Sequence, residues 1–170
     1  MADPGLTGIL LVGGASTRFG SPKALAQLAG DTLAERSWRL LGDTCGERIA
    51  VGSLAGLPFP ALSDEGTGPV AAIAEGLRSA AREVAVVVPV DMPLLTTEAL
   101  EQLARACRDA AVAQAGPLPC AVARRTLPAF ETGERRLRTV LDALDTARIE
   151  LDERLLANVN TPADLDRLAL

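Results

Sequence analysis

The sequence predicts an α/β fold: a mostly parallel sheet, in three layers, with helices on both of its faces. Three observations carry that expectation. Short apolar runs alternate with segments whose apolar residues recur at helical spacing, the pattern of repeated strand–helix units. The run Val84–Val90 (VAVVVPV) is apolar at successive positions, as a central strand covered on both faces requires. The 170 residues, 48% hydrophobic and 23% charged, suit one compact domain over residues 1–170 and exclude disordered or collagen-like composition.

Taken in order, Thr7–Val12 reads as the first strand and stops at Gly13-Gly14. After a loop through Pro22, Leu33–Leu41 carries apolar residues at helical spacing. Arg48–Val51 reads as the second strand and the Pro58–Leu62 region as a short third one. Pro69–Ala81 is expected to be a helix with Val70, Ile73, Ala74 and Leu77 on one face. The strand Val84–Val90 follows, then a helix over Thr96–Asp109 that Thr96 or Thr97 can cap and that turns Leu100 and Leu103 to the core. Ala111–Ala115 and Pro119–Ala123 are expected to pair as a hairpin around Gly116-Pro117, and Leu137–Leu144 to form an amphipathic helix. The last helix opens at Thr161-Pro162-Ala163-Asp164, with Thr161 as cap and Pro162 as first helical residue.

Composition removes several classes of function. A net charge of −5 argues against a nucleic-acid partner, whose footprint is basic. With no histidine in the chain, histidine triads, His-liganded zinc and phosphohistidine intermediates are excluded. With no tyrosine and Trp38 as the one tryptophan, stacking platforms for single strands are missing too. The apolar runs are strand-sized, so no membrane span is expected, and the polar Met1–Gly5 argues against a secretory signal. Cys45, Cys107 and Cys120 are scattered, without metal or redox spacing, and read as small buried hydrophobes in a reducing, cytoplasmic setting.

Five segments can carry chemistry. Leu11-Val12-Gly13-Gly14-Ala15-Ser16-Thr17-Arg18-Phe19-Gly20-Ser21-Pro22-Lys23 follows the first strand and fits neither the P-loop nor the dinucleotide glycine spacing. Its paired glycines still let backbone N–H groups close on anionic oxygens, and Arg18 and Lys23 add charged donors. The alternative is an ordinary Gly-rich turn with solvated basic residues. Asp91, in Val90-Asp91-Met92-Pro93, leaves the end of the most apolar strand, where ligands of open α/β sheets bind. A carboxylate there suits Mg²⁺, which one or two carboxylates plus substrate phosphates usually hold; the alternative is a turn aspartate before proline. In Ser63-Asp64-Glu65-Gly66-Thr67-Gly68-Pro69, Asp64 can meet a base or ribose, and Gly68-Pro69 can open a helix toward phosphate; an unspecialised loop is equally compatible. Asn158-Val159-Asn160-Thr161-Pro162 puts two asparagines on one face of an extended segment, for polar recognition or simply ahead of a helix cap. Arg135, Arg136 and Arg138 read as a solvated helix face or as donors to an anionic substrate.

Together these segments resemble the molybdenum cofactor guanylyltransferase family, within the Rossmann-like nucleotidyltransferases of the nucleotide-diphospho-sugar transferase type. The resemblance spans nearly the whole chain: Leu11–Lys23, Asp64–Pro69, Asp91–Pro93, Gly133–Arg136 and Asn158–Pro162. It implies Mg²⁺-dependent, in-line transfer of GMP from GTP to molybdopterin with release of pyrophosphate. It further implies that Leu11, Val12, Gly13 and Gly14 line base and triphosphate, with Gly68 and Pro69 beside them. Arg18 and Lys23 would neutralise phosphate, Asp64 contact the nucleoside, Asp91 hold the metal, and Asn158 and Asn160 face the pterin. Glycine at position 13 favours GTP over CTP. The implied partners are small molecules, with a molybdoenzyme chaperone as a further candidate, and a monomer or weak homo-oligomer is expected. The chain departs from the family at Pro22, at Gly52-Ser53, at Ala71-Ala72 and near Gly116, mostly away from the phosphate and metal positions. The alternatives are transfer from CTP or to a phospho-sugar or phospho-acid, or a non-catalytic binding module.

Overall fold

The computed structural model describes residues 1–13, 20–64 and 68–169. Strand β1 (Asp3–Leu11) is followed by a 3-10 turn at Lys23–Leu25 and a small antiparallel ribbon, β2 (Gln27–Leu28) with β3 (Asp31–Thr32). Helix α1 (Leu33–Thr44) begins at a capping box. The Thr32 Oγ1 accepts from the Glu35 N–H at 3.1 Å, and the Glu35 carboxylate accepts from the Thr32 N–H at 2.8 Å. Strands β4 (Cys45–Val51) and β5 (Ala61–Leu62) follow, then α2 (Pro69–Ser79), which starts with proline at its first position as the sequence predicts.

Strand β6 (Val84–Pro89) leads to α3 (Thr97–Ala106), capped by Thr96, and to the hairpin of β7 (Ala110–Ala113) and β8 (Gly116–Ala123). A 3-10 segment at Arg124–Glu131, α4 (Leu137–Asp142), β9 (Thr146–Ile149), a 3-10 turn at Glu153–Leu156 and α5 (Pro162–Leu168) complete the chain. Thr161 caps the last helix as expected, and the cap is a full capping box, with Asp164 closing back on Thr161.

Seven strands form one sheet in the order β5-β4-β1-β6-β8-β7-β9. Pairing is parallel from β5 through β6, antiparallel on both sides of β8, and parallel again between β7 and β9. The side-chain alternation of the strands sorts two cores. Leu10, Val86 and Val88 pack with α1 and α3 on one face; Ile9, Val87 and Val122 pack with α2 and α4 on the other. Three layers result, as expected.

Two details correct the sequence reading. The hairpin turns at Gln114-Ala115, with Ala113 opposite Gly116, so Gly116 and Pro117 already belong to β8 and not to the turn. The helix expected to reach Asp109 ends at Ala106, because the chain must extend again for β7 at Ala110. Consecutive elements switch direction around β1: β4 lies on one side of it and β6 on the other. Leu11 is in register with Val51 and with Pro89, so the C-terminal ends of β1, β4 and β6 align at one edge. A crevice opens outside such an edge at the point where strand order reverses.

Candidate functional site

A cavity of about 510 Å³ occupies that crevice. Leu11, Val12 and Gly13 leave β1 into it; Asp64 enters from the loop after β5, and Gly68 and Pro69 bring the start of α2. Lys23 closes it from one side and Asp91 from the strand end after β6. Eight of the positions singled out in the sequence therefore meet in one place: Leu11, Val12, Gly13, Lys23, Asp64, Gly68, Pro69 and Asp91. Gly14 and Arg18 lie outside the described residues, as does the stretch 65–67 of the second loop.

The charged centre is a lysine–carboxylate pair. Lys23 Nζ lies 3.4 Å from Asp91 Oδ2, across 68 positions of sequence, and the two side chains are 18% and 24% exposed. Their partial burial strengthens electrostatic interaction with anything entering the cavity relative to bulk water. The pair can exchange partners: a polyanion attracts the ammonium, and a cation brought with it takes the carboxylate. Among the described residues no group of three or more acidic, histidine or cysteine side chains is placed to cage a metal ion. A single carboxylate does fit Mg²⁺, which keeps several waters and shares its sphere with substrate phosphates.

The start of α2 adds a second favourable element for anions. Gly68 takes φ +101°, a conformation glycine reaches without penalty, and Pro69 opens the helix. Pro69 has no N–H, and the N–H groups of Val70 and Ala71 precede the first bond of the helix, Ala72 N–H to the Gly68 carbonyl at 3.1 Å, at the positive end of the helix dipole.

The loop after β4 holds the floor. Gly52 has φ +139°, and a Cβ there would sit 2.4 Å from the Gly13 nitrogen and 2.9 Å from its Cα. Gly52 N–H donates to the Leu62 carbonyl at 2.7 Å, and Val12 N–H donates to the Val51 carbonyl at 3.0 Å, so the two chain ends touch backbone to backbone. In the sequence Gly52-Ser53 stands out only as a departure from the family; the role of Gly52 comes from β4 lying beside β1. Ser53 and Leu118 also line the cavity and were not singled out as site residues. Both stand beside strands that flank the crevice, Ser53 just past β4 and Leu118 within β8, and that position is the signal that could have found them.

Asn158 and Asn160 do not line the cavity. They are exposed on either side of the fully buried Val159, in an extended segment outside the sheet rather than on a strand. That segment is tied to the site, because the Val159 N–H donates to the Asp91 carbonyl at 2.7 Å. Arg135, Arg136 and Arg138 are exposed around the start of α4, and none of them lines the cavity. The cysteines play no part there. Burial pushes the Cys45 thiol up to about 12 and Cys107 up to about 11, and raises Cys120 as well, so none offers a thiolate at neutral pH.

An open α/β sheet with a strand-end cavity, a lysine–carboxylate pair and a helix start facing it defines a nucleotide-handling class of protein. The comparisons with known proteins are more particular. The profile of the MobA-like NTP transferase domain matches residues 8–149, and this chain belongs to that family. A protein of Mycobacterium tuberculosis (strain H37Rv), named "Probable molybdenum cofactor guanylyltransferase", is 38% identical, over 94% of this chain and 91% of its own length. A relative of the same name in Mycobacterium marinum is 36% identical over the same shares. Among solved structures, the molybdopterin-guanine dinucleotide biosynthesis protein A of Archaeoglobus fulgidus superposes with a TM-score of 0.81 at 24% identity, covering 96% of each chain. The 2-C-methyl-D-erythritol 4-phosphate cytidylyltransferase of Thermus thermophilus gives 0.73 at 18% identity, covering 95% of this chain and 96% of that one. The likeness to both structures shows the Rossmann-like fold.

Proposed function

We propose that this chain, as one nucleotidyltransferase domain over residues 1–170, moves GMP from GTP to molybdopterin and releases pyrophosphate. The observation that carries the reading is the Lys23–Asp91 pair at 3.4 Å in the crevice where strand order reverses. The names of the 38% and 36% identical relatives supply the donor and the acceptor.

The triphosphate lies along the start of α2 and under Lys23, whose ammonium neutralises it. Arg18, from the same Gly-rich segment, and the backbone N–H groups near Gly13 and Gly14 complete the anion cradle. Asp91 holds Mg²⁺, which when bound offsets charge on the triphosphate and on the departing pyrophosphate. Asp64 and Gly13 meet the nucleoside; the absence of a side chain at position 13 leaves room for a guanine edge. Asn158 and Asn160, exposed beside the Asp91 turn, receive the pterin. Its terminal phosphate is mostly dianionic at neutral pH, having a second pKa of about 6, and needs no general base to attack the α-phosphorus. Catalysis then consists of alignment and charge neutralisation, which a chain without histidine can supply.

Calorimetry with GTP, CTP and ATP in the presence of Mg²⁺ tests the donor. GTP is expected to bind tightest and to lose about tenfold or more in affinity in Lys23→Ala. A preference for CTP transfers the chain to a cytidylyl-transfer reading, and no binding of any triphosphate supports a non-catalytic module.

A further inference from the structure

The family profile ends at residue 149, yet the chain beyond it reaches back to the centre of the site. Val159 is completely buried, and its N–H donates to the Asp91 main-chain carbonyl at 2.7 Å. Two further bonds fix the backbone just after it. Asp164 Oδ2 accepts from the Asn160 N–H at 2.8 Å and from the Thr161 N–H at 2.9 Å. These bonds hold the Asp164 carboxyl well below its ordinary range, at about 2. Helix α5 is in turn anchored by Leu165, which shares one buried cluster with Ala24, next to Lys23, and with Met92, next to Asp91. A continuous strut thus runs from α5 through Asn160 and Val159 to the main chain of Asp91.

Three features separate this strut from an ordinary helix cap. A cap alone needs Asp164 to serve Thr161; here the same oxygen also holds Asn160, one residue beyond the cap and adjacent to Val159. The Val159 bond spans 68 positions of sequence and ends on the residue whose carboxylate faces the cavity. Asp91 sits on a turn after β6, with no strand neighbour of its own to fix its carbonyl.

We infer that Asp164 is a positioning residue for Asp91, acting through the Val159 N–H, and that it sets how well the site accepts the divalent cation that accompanies the nucleotide. This rests on the reading of Asp91 as the Mg²⁺ ligand. Groups that orient a ligating side chain typically govern about 10–100-fold in metal affinity, the scale expected here.

The test is Mg²⁺-dependent GTP binding by calorimetry, without acceptor and without turnover. Asp164→Ala is expected to raise the Mg²⁺ concentration for half-maximal GTP binding about tenfold. Asp164→Asn should restore it to within about twofold, because both N–H bonds end on one oxygen that an amide can replace. Ala163→Gly, which weakens α5 at an exposed position without touching the carboxylate, should leave it unchanged. Hydrogen exchange on the wild-type chain provides a reading independent of any variant's folding: the Val159 amide should exchange more slowly with GTP plus Mg²⁺ than with GTP alone. An unchanged Mg²⁺ requirement in Asp164→Ala, an equal shift in Ala163→Gly, no rescue by Asp164→Asn, or an indifferent Val159 amide would each overturn the inference. Asp91→Asn keeps the two levels apart. If it leaves the Mg²⁺ dependence intact, the metal reading fails; if it removes the dependence while Asp164→Ala does not, only the strut fails.

Discussion

The two halves of the sheet are built differently and divide the work. From β5 to β6 every pairing is parallel, the strands end together, and the residues at those ends converge on the cavity. From β8 to β9 the directions mix, and among the described residues this half sends only Leu118 to the cavity. The C-terminal segment adds no strand to either half and reaches the site through the Val159–Asp91 backbone bond and the packing of Leu165 with Ala24 and Met92. A parallel sheet with reversed strand order makes a crevice by topology alone, so chemistry placed at its strand ends is fixed by the fold. The segment proposed to meet the acceptor is built from loops and a short helix, so its exposed side chains can vary while its backbone stays tied to Asp91.

Substitutions can break this division, the largest effect being expected at Asp91. Asp91→Asn removes the carboxylate from the aligned strand ends and should lower GMP transfer by about 100-fold or more, measured as pyrophosphate release. Lys23→Ala acts on the same side and should weaken GTP binding about tenfold or more, with little change in melting temperature. Gly52→Ala tests the backbone contact of β4 with β1. Its Cβ would fall 2.4 Å from the Gly13 nitrogen, at φ +139°, so a loss of about 2–4 kcal/mol is expected in denaturant unfolding, together with impaired nucleotide binding. Asn160→Ala belongs to the other side and should raise KM for molybdopterin by about tenfold while leaving the GTP affinity unchanged. A matching loss of GTP affinity would show that the two sides are not separable.

The smallest effect concerns acid. The Asp164 carboxyl is held at about 2, below its ordinary value of 3.8, by the Asn160 and Thr161 N–H groups and by Arg167. Its folded-state value is depressed, so its contribution is complete above the ordinary value and is lost as pH falls from there toward about 2. Amide exchange in α5 should therefore quicken in that acid window before the parallel half of the sheet responds.

The same division decides what the sequence reveals. In the parallel half the two central strands, β1 from Leu6 onward and β6, are buried on both faces, so the all-apolar run ending at Pro89 and the run ending at Leu11 stand out, and the residues following them are readable as site candidates. Gly13 and Asp91 are legible for that reason, Lys23 through the basic Gly-rich segment after β1, and Asp64 and Gly68 through the polar Gly-rich loop before α2. Strand β9, Thr-Ala-Arg-Ile, is short, lies at the sheet edge and exposes Arg148, so no periodicity announces it. The hairpin was recognisable, but Gly116-Pro117 imitates a turn, while the chain actually turns at Gln114-Ala115 because β8 needs Gly116 opposite Ala113. Gly52 and the Val159–Asp91 bond depend on which strands and segments become neighbours, which local composition does not encode. The asparagines at 158 and 160 were visible as a motif, but their exposed position outside the cavity was not.

The central claim, transfer of GMP from GTP at the Lys23–Asp91 crevice, is tested most directly by incubating the protein with GTP labelled at the α-phosphate, molybdopterin and Mg²⁺. The label is predicted to appear in a pterin dinucleotide, one pyrophosphate being released for each transfer, and to stay in GTP when Asp91→Asn replaces the wild type. Label that remains in GTP with the wild-type protein, or a labelled pterin dinucleotide formed only when α-labelled CTP replaces GTP, would contradict the account.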